Sequence, residues 1–305
     1  MPLISVVIPL YNKELHIKRA INSVLVQTIQ DFEIVVVDDG STDKSSEIVR
    51  TINDERIKLI QQENRGVSAA RNRGIEKARA DIIAFLDSDD EWLPTFLETV
   101  IRLRKLFPEA GIYGAAYEVH FRLSKEKRVF ENEMGERILP SYFEASVKFG
   151  HVLFNSSSFA APKDILTKVG GYPINAKWNE DGCLWGKIAF QFPIAYSPRV
   201  CSIYHKSTEN STAGITDDLK NPFLEYISSI PTNELKRRDD FDYLKEYTDF
   251  TRLATISRNI YSGHHSKARK ELLLVTSSRY KWKKRKLQII SYIPSFVLKQ
   301  IKKTQ

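Results

Sequence analysis

The chain has 305 residues, 42% of them hydrophobic and 28% charged, which suits one or two globular domains with a sizeable core. Its two cysteines, Cys183 and Cys201, exclude a disulfide framework and lack metal-ligand spacing. With no apolar run of membrane-spanning length and no basic-then-apolar leader, the expected location is the cytoplasm. The net charge of +8 is uneven: residues 264–305 hold twelve Lys/Arg against one acid, Glu271, leaving −3 on residues 1–263.

In chain order, residues 3–11 read as a strand and 13–27 as a helix, with apolar spacing at Leu15, Ala20, Ile21, Val24 and Leu25. Residues 32–39 form a near-continuous apolar strand. A helix around 43–53, a strand at 57–61, a helix at 67–79, a strand at 82–86 and a helix from about 94 follow. Alternating elements whose strands are apolar on both faces predict a Rossmann-like, mainly parallel sheet covered by helices on both sides. From 111 to 205 the pattern is mixed: strands near 112–122 and 194–204, a charged excursion at 124–138, and short helices near 163–169 and 181–190. Beyond about 217 the chain reads as helices. The expected boundary lies around 210–220, between an α/β unit over 1–215 (halves 1–110 and 111–215) and a basic helical extension over 216–305.

Ligands of open parallel sheets bind at the carboxyl ends of the strands. Three such ends carry chemistry here: "PLYN" (9–12), "DDGSTD" (38–43) and "DSDD" (87–90). Neither a Gly-rich dinucleotide turn nor a phosphate loop is present, so a nucleotide would be held without a glycine cradle. If the strand stayed extended, Asp87 and Asp89 would point to one side, and two such charges repel unless a cation or a donor-rich ligand sits between them.

The ordered blocks "SVVIPLYNKE", "QTIQDFEIVVVDDGSTD", "NRGVSAARNRGIEKARADIIAFLDSDD" and "VGGYP…NEDGCLW" resemble the inverting family-2 glycosyltransferases of GT-A fold, over roughly residues 3–200. The resemblance implies a divalent cation, Mn²⁺ or Mg²⁺, bridging carboxylates and the diphosphate of a sugar nucleotide. Asp89 is then the metal ligand. Asp87, with Ser88 beside it, faces the ribose or the shared metal shell, and Asp90 is left open. The bland reading of this cluster is an acidic cap on the helix starting near Pro94. Asp39 would accept the base's ring N–H, Pro9, Leu10 and Tyr11 would wall the base pocket, and Asp43 would cap the next helix. Arg71 would hold a base carbonyl or a diphosphate oxygen, whereas Arg73 faces solvent.

By the same resemblance Asp181 is the general base, the alternative being that Asn179 or Asp181 only caps the following helix. Lys187 stands where the family often has Arg, and the Gln-x-x-Arg-Trp signature of processive synthases is missing. His205 is a further candidate metal contact or an ordinary surface histidine; His264 and His265 read as solvated. The implied enzyme moves one sugar from a UDP-hexose or UDP-N-acetylhexosamine to a glycan or lipid-linked glycan, as in surface-polysaccharide biosynthesis. The rivals are a GDP-mannose-dependent transferase, a nucleotidyltransferase of sugar-nucleotide synthesis, and a non-catalytic membrane adaptor. Residues 281–305, with a stripe of Ile289, Ile290, Ile293, Val297 and Ile301 broken at Pro294, predict contact with an anionic membrane surface. A helix packed on the catalytic unit is the alternative. Nucleic acid is not an expected partner, since no known binding module is visible.

Overall fold

The computed structural model describes residues 1–130, 135–174, 176–206, 220–295 and 297–298. The first half runs β1 (Ile4–Leu10), α1 (Ile17–Leu25), β2 (Phe32–Asp38), α2 (Ser45–Arg50), β3 (Ile57–Gln61), α3 (Val67–Lys77) and β4 (Ile82–Phe85). Then come β5 (Glu91–Trp92), α4 (Phe96–Leu106), β6 (Ile112–His120), β7 (Lys125–Arg128), β8 (Arg137–Ile138) and α5 (Tyr142–Phe149). β9 (Phe159–Pro162), α6 (Lys163–Lys168), α7 (Glu180–Gln191) and β10 (Ile194–His205) complete the sheet region. The chain ends in helices α8 (Pro222–Ser229), α9 (Thr232–Leu235), α10 (Phe241–Tyr261), α11 (His265–Leu273) and α12 (Lys281–Ile290).

All seven residues of β1 and of β2 are buried, which suits interior strands covered on both faces. Side-chain alternation divides them. Val7, Val35, Val37 and Phe85 enter the core on one side of the sheet; Val6, Ile8, Val36 and Ala84 enter the core on the other. The order is β3-β2-β1-β4-β9-β6-β10-β5, with β3, β2, β1 and β4 mutually parallel. In register, Leu10 lies opposite Asp38 and Val7 opposite Phe85. The three chemically loaded segments therefore leave the sheet at the same edge.

Besides the short strands β5, β7 and β8, two larger features fall outside the sequence expectation. β9 runs antiparallel between β4 and β6, placing Ala160 against both Ala84 and Tyr113. α5 is capped by Ser141, whose side chain accepts from the Glu144 N–H, and ends at Gly150 in the left-handed region.

Gly74 lets α3, which carries Arg71, settle directly on β1. A Cβ there would sit 2.2 Å from Val7 Cγ1. Gly74→Ala should therefore cost about 1–3 kcal/mol by overpacking, read by urea denaturation. An unchanged midpoint would refute this close helix–strand contact.

α10 joins two cores. Leu244 and Tyr247 near its start share a cluster with Phe223, Phe143 and the sheet; Leu253, Ile256 and Ile260 pack with Leu272, Leu287 and Leu298 in a separate cluster. The division expected near 215 falls within residues 207–219, outside those described.

The expected apolar stripe of the tail needs correction. Leu287 and Leu298 are the buried residues, while Ile289 is 69% exposed. Ile290 and Ile293 pack at the margin of the cluster and Val297 is half-buried; Ile301 lies outside the described residues. The physical reason is that α12 stops at Ile290 and a turn at 291–293 precedes Pro294, so a single helical phase does not run through the segment.

Candidate active site

At the loaded edge of the sheet lies a cleft of about 480 Å³. Pro9, Leu10, Tyr11, Asp39, Arg71, Asp87, Ser88 and Asp89 all line it, as expected residues go. Lys13, Asn64, Gly66, Val67, Ala70 and Glu180 line it too and were not singled out by the sequence.

Asp39 is held by its own neighbourhood. Its Oδ1 accepts from the Arg65 N–H at 3.0 Å and from Gln62 Nε2 at 2.7 Å, and its Oδ2 accepts from the Gly66 N–H at 2.8 Å. A carboxylate has about four acceptor positions, so one remains on Oδ2. Asp43, expected to cap α2, does not: the cap position is Lys44, which makes no side-chain cap. Asp43 sits one residue earlier, its Oδ1 accepting from the Ser45 N–H and its Oδ2 from the Glu14 N–H, which ties the loop after β1 to the start of α2.

The "DSDD" segment is not extended. β4 ends at Phe85 and residues 87–90 form a turn closed by the Asp90 N–H donating to the Asp87 carbonyl, so the same-side argument for Asp87 and Asp89 does not apply. The repulsion is answered by protein cations. Asp87 Oδ1 faces Arg71 Nη2 at 2.8 Å, and Asp89 Oδ2 faces Lys13 Nζ at 2.5 Å. Asp90, left open by the sequence, is buried and structural: it accepts from Ser157 Oγ at 2.6 Å and from the His205 N–H at 3.0 Å. Burial, then Asp87 and Asp89, push its carboxyl well above the ordinary range. Thr95 precedes α4 and no side-chain cap is made there, so the turn is not an acidic helix cap.

Arg71 is the hub. It is buried beside the Tyr172 ring, 5.0 Å away, and also reaches Asp181 Oδ1 at 3.1 Å and Glu180 Oε1 at 3.4 Å. Burial alone would push the guanidinium down; the carboxylates of Asp181 and Asp87 outweigh it and keep the group charged. Arg73, by contrast, is half-buried, with its side chain turned to solvent where it pairs with Glu76 one turn on.

Asp181 follows Glu180 in the first turn of α7, with its side chain 20% exposed. Asn179 precedes the helix in a left-handed conformation and makes no cap; its Nδ2 donates to Asn221 instead, so neither residue serves as the helix cap. Asp181 Oδ2 accepts from Ser156 Oγ at 2.7 Å, while Oδ1 has the Arg71 ion pair but no hydrogen bond of good geometry among the described residues. Burial pushes the Asp181 carboxyl up to about 7, against the pull of Arg71 and with Glu180 and Asp87 adding to the rise. Ser156 carried no signal in the sequence, because its role depends on a contact 25 residues away.

His205 is not among the residues lining the cleft. Its Nε2 meets Glu91 Oε1 at 3.0 Å and its ring stands edge-on to His120. Burial, then Arg19, hold its imidazole below the ordinary range. Among the described residues no three His, Cys, Asp or Glu side chains form a metal-binding group, so Asp87, Asp89 and His205 do not make one.

A twisted, mainly parallel sheet with β9 inserted, C-terminal helices and a carboxylate-lined cleft at the strand ends is the GT-A class of architecture. The family model described as glycosyl transferase family 2 matches residues 5–170, and the chain belongs to that family. It is 33% identical to an uncharacterized glycosyltransferase of Nostoc sp. over 80% of this chain and 82% of that protein. It is 35% identical to one from Rickettsia conorii, covering 81% of this chain but 39% of the relative. The putative glycosyltransferase EpsH of Bacillus subtilis matches 48% of this chain, and 44% of its own length, at 35% identity. Among solved structures, S. aureus TarS residues 1–349 in complex with UDP-GlcNAc superposes with a TM-score of 0.68 at 19% identity, covering 100% of this chain and 93% of that one.

Proposed function

We propose that this protein transfers one sugar, with inversion, from a UDP-hexose or UDP-N-acetylhexosamine to a hydroxyl of a glycan or lipid-linked glycan. The observation that supports the reading is Asp181, which does not itself line the cleft but lies behind it, next to Glu180, which does. Asp181 is a carboxyl poised near 7, linked through Arg71 to Asp87 at the wall of the cleft. A base of that strength takes the acceptor's proton at neutral pH and is still partly ionised there. As Asp181 accepts the proton, the hydroxyl oxygen attacks the anomeric carbon opposite the departing nucleoside diphosphate. One such displacement turns an α-linked donor into a β-linked product. The similarity in fold to a protein that binds UDP-GlcNAc supports a uridine donor.

Asp39 has one acceptor position left for the ring N–H of the base, and Leu10 and Tyr11 wall the same pocket. Lys13 and Arg71 both line the cleft as cations, Lys13 paired with Asp89 and both Nη atoms of Arg71 with protein carboxylates. Asp89 and Asp87 suit a hard divalent cation, because such ions are commonly held by one or two carboxylates, with phosphate oxygens and waters completing the shell. Each of the two has one oxygen on a protein cation and a second oxygen for such an ion. Bound Mn²⁺ or Mg²⁺ would offset the charge of the leaving diphosphate.

A thermal-shift screen of UDP-, GDP- and dTDP-sugars with and without Mn²⁺ tests this reading. UDP-sugars should raise the melting temperature most, and more so with the metal; a selective response to GDP-mannose would reassign the donor. Asp89→Asn should abolish the metal-dependent part. If its donor affinity in Mn²⁺ stays within about threefold of the parent protein, a change under roughly 0.7 kcal/mol, Asp89 is not a metal ligand.

A further inference from the structure

Five of the fifteen large apolar side chains exposed among the described residues lie between 273 and 292: Leu273, Leu274, Trp282, Ile289 and Tyr292, each 58–79% exposed. On α12 the buried Leu287 faces the cluster formed with α10 and α11. Trp282, Arg285 and Ile289 follow at helical spacing on the opposite side, where Tyr292 in the next turn extends the row. Arg285 sits 5.7 Å from the Trp282 ring, and Lys281 and Lys286 are exposed on either side. The helix is thus anchored by one face and presents aromatic, aliphatic and cationic groups on the other.

Next to this face, α11 and α12 enclose a groove of about 350 Å³ lined by Arg269, Lys270, Leu273, Lys284 and Tyr292. Arg269 Nη1 donates to the Ser291 carbonyl at 2.9 Å and its guanidinium lies 4.8 Å from the Tyr292 ring; Lys284 Nζ donates to the Val275 carbonyl at 2.7 Å. These bonds fix the junction of the two helices, so the outward face is held in place. No helix among the described residues is long and apolar enough to cross a membrane.

We propose that the outward face of α12, with the adjoining end of α11, lies on the surface of an anionic phospholipid membrane. Charge complementarity selects this occupant, since residues 264–305 carry twelve Lys/Arg against one acid. The aliphatic members of the patch favour lipid over nucleic acid. Leu273, Leu274 and Ile289 gain from leaving water but offer no π-face on which a base could stack.

The test is co-sedimentation of the full chain with phosphatidylcholine vesicles, with and without phosphatidylglycerol, at low and high salt. The protein should bind the anionic vesicles at least tenfold more tightly, and salt should weaken that binding. A Lys281→Glu, Arg285→Glu, Lys286→Glu variant should lose affinity by roughly a hundredfold or more. A Trp282→Ser, Ile289→Ser variant should lose the residual binding that survives in salt. All substituted side chains are exposed, so both variants should keep the parent melting temperature. Equal binding to neutral vesicles, no binding at low salt, or single-stranded RNA bound so tightly that anionic vesicles do not compete would each overturn the proposal.

Discussion

Asp181→Asn is expected to keep donor and metal binding while transfer falls by about 10²–10⁴-fold, the usual contribution of a positioned general base. An amide has no proton-accepting oxygen of comparable basicity, yet it matches the carboxylate in shape, so the cleft should survive. Donor titration by calorimetry and a transfer assay on the same preparation separate the two effects. The parent enzyme should gain activity as pH rises through about 7, where Asp181 loses its proton. That limb should be missing from the variant. Ser156→Ala should move the limb to higher pH, because the Ser156 hydrogen bond favours the charged form. The same carboxyl makes stability fall as pH rises from about 4 to about 7, since across that window the folded chain holds a proton the unfolded chain has released. Near-normal turnover of Asp181→Asn would remove this residue from the mechanism.

Arg71→Met should be the most destabilising single change in the cleft. It leaves Asp87, Glu180 and Asp181 facing one another around a buried position without their shared cation. Breaking such a buried cluster from one side costs roughly 3–5 kcal/mol, because the remaining charges lose compensation while staying desolvated. Arg71→Lys keeps the charge but not the planar fork that reaches several carboxylates at once, so it should recover only part of the loss. Urea denaturation reads both. The deficit of Arg71→Met should grow as pH rises above about 7, because Asp181 without its guanidinium resists ionisation further. A pH-independent loss below about 1 kcal/mol would show that Arg71 contributes packing rather than charge.

Much of this was legible in the sequence because it is local. Alternation and apolar runs placed β1, β2, β3, β4, β6 and β10, since a strand covered on both faces has to be apolar along its length. Parallel pairing then brings strand ends together, so the segments at 9–12, 38–43 and 87–90 were bound to meet at one edge. α5 also had a readable signal, Ser141 followed three residues later by Glu144 and then Gly150 at the far end. β9 had none: Phe-Ala-Ala-Pro is a weak strand former, and it becomes a strand because the gap between β4 and β6 needs a pairing partner with small side chains.

Residue types at the site came from the sequence, but their electrostatic state came from the tertiary structure. The run Asp87–Asp90 could be seen as a problem of repulsion; that Lys13 and Arg71 answer it, and that Asp90 is turned inward onto Ser157, depends on contacts from 16 to 76 residues away. The basic tail could be counted residue by residue. Which of its apolar side chains face inward was decided by where α10 and α11 offer a surface, and by the turn before Pro294, which resets the helical phase. Composition and periodicity act over a few neighbouring residues, whereas burial and ion pairing are set by whatever distant segment the fold brings alongside.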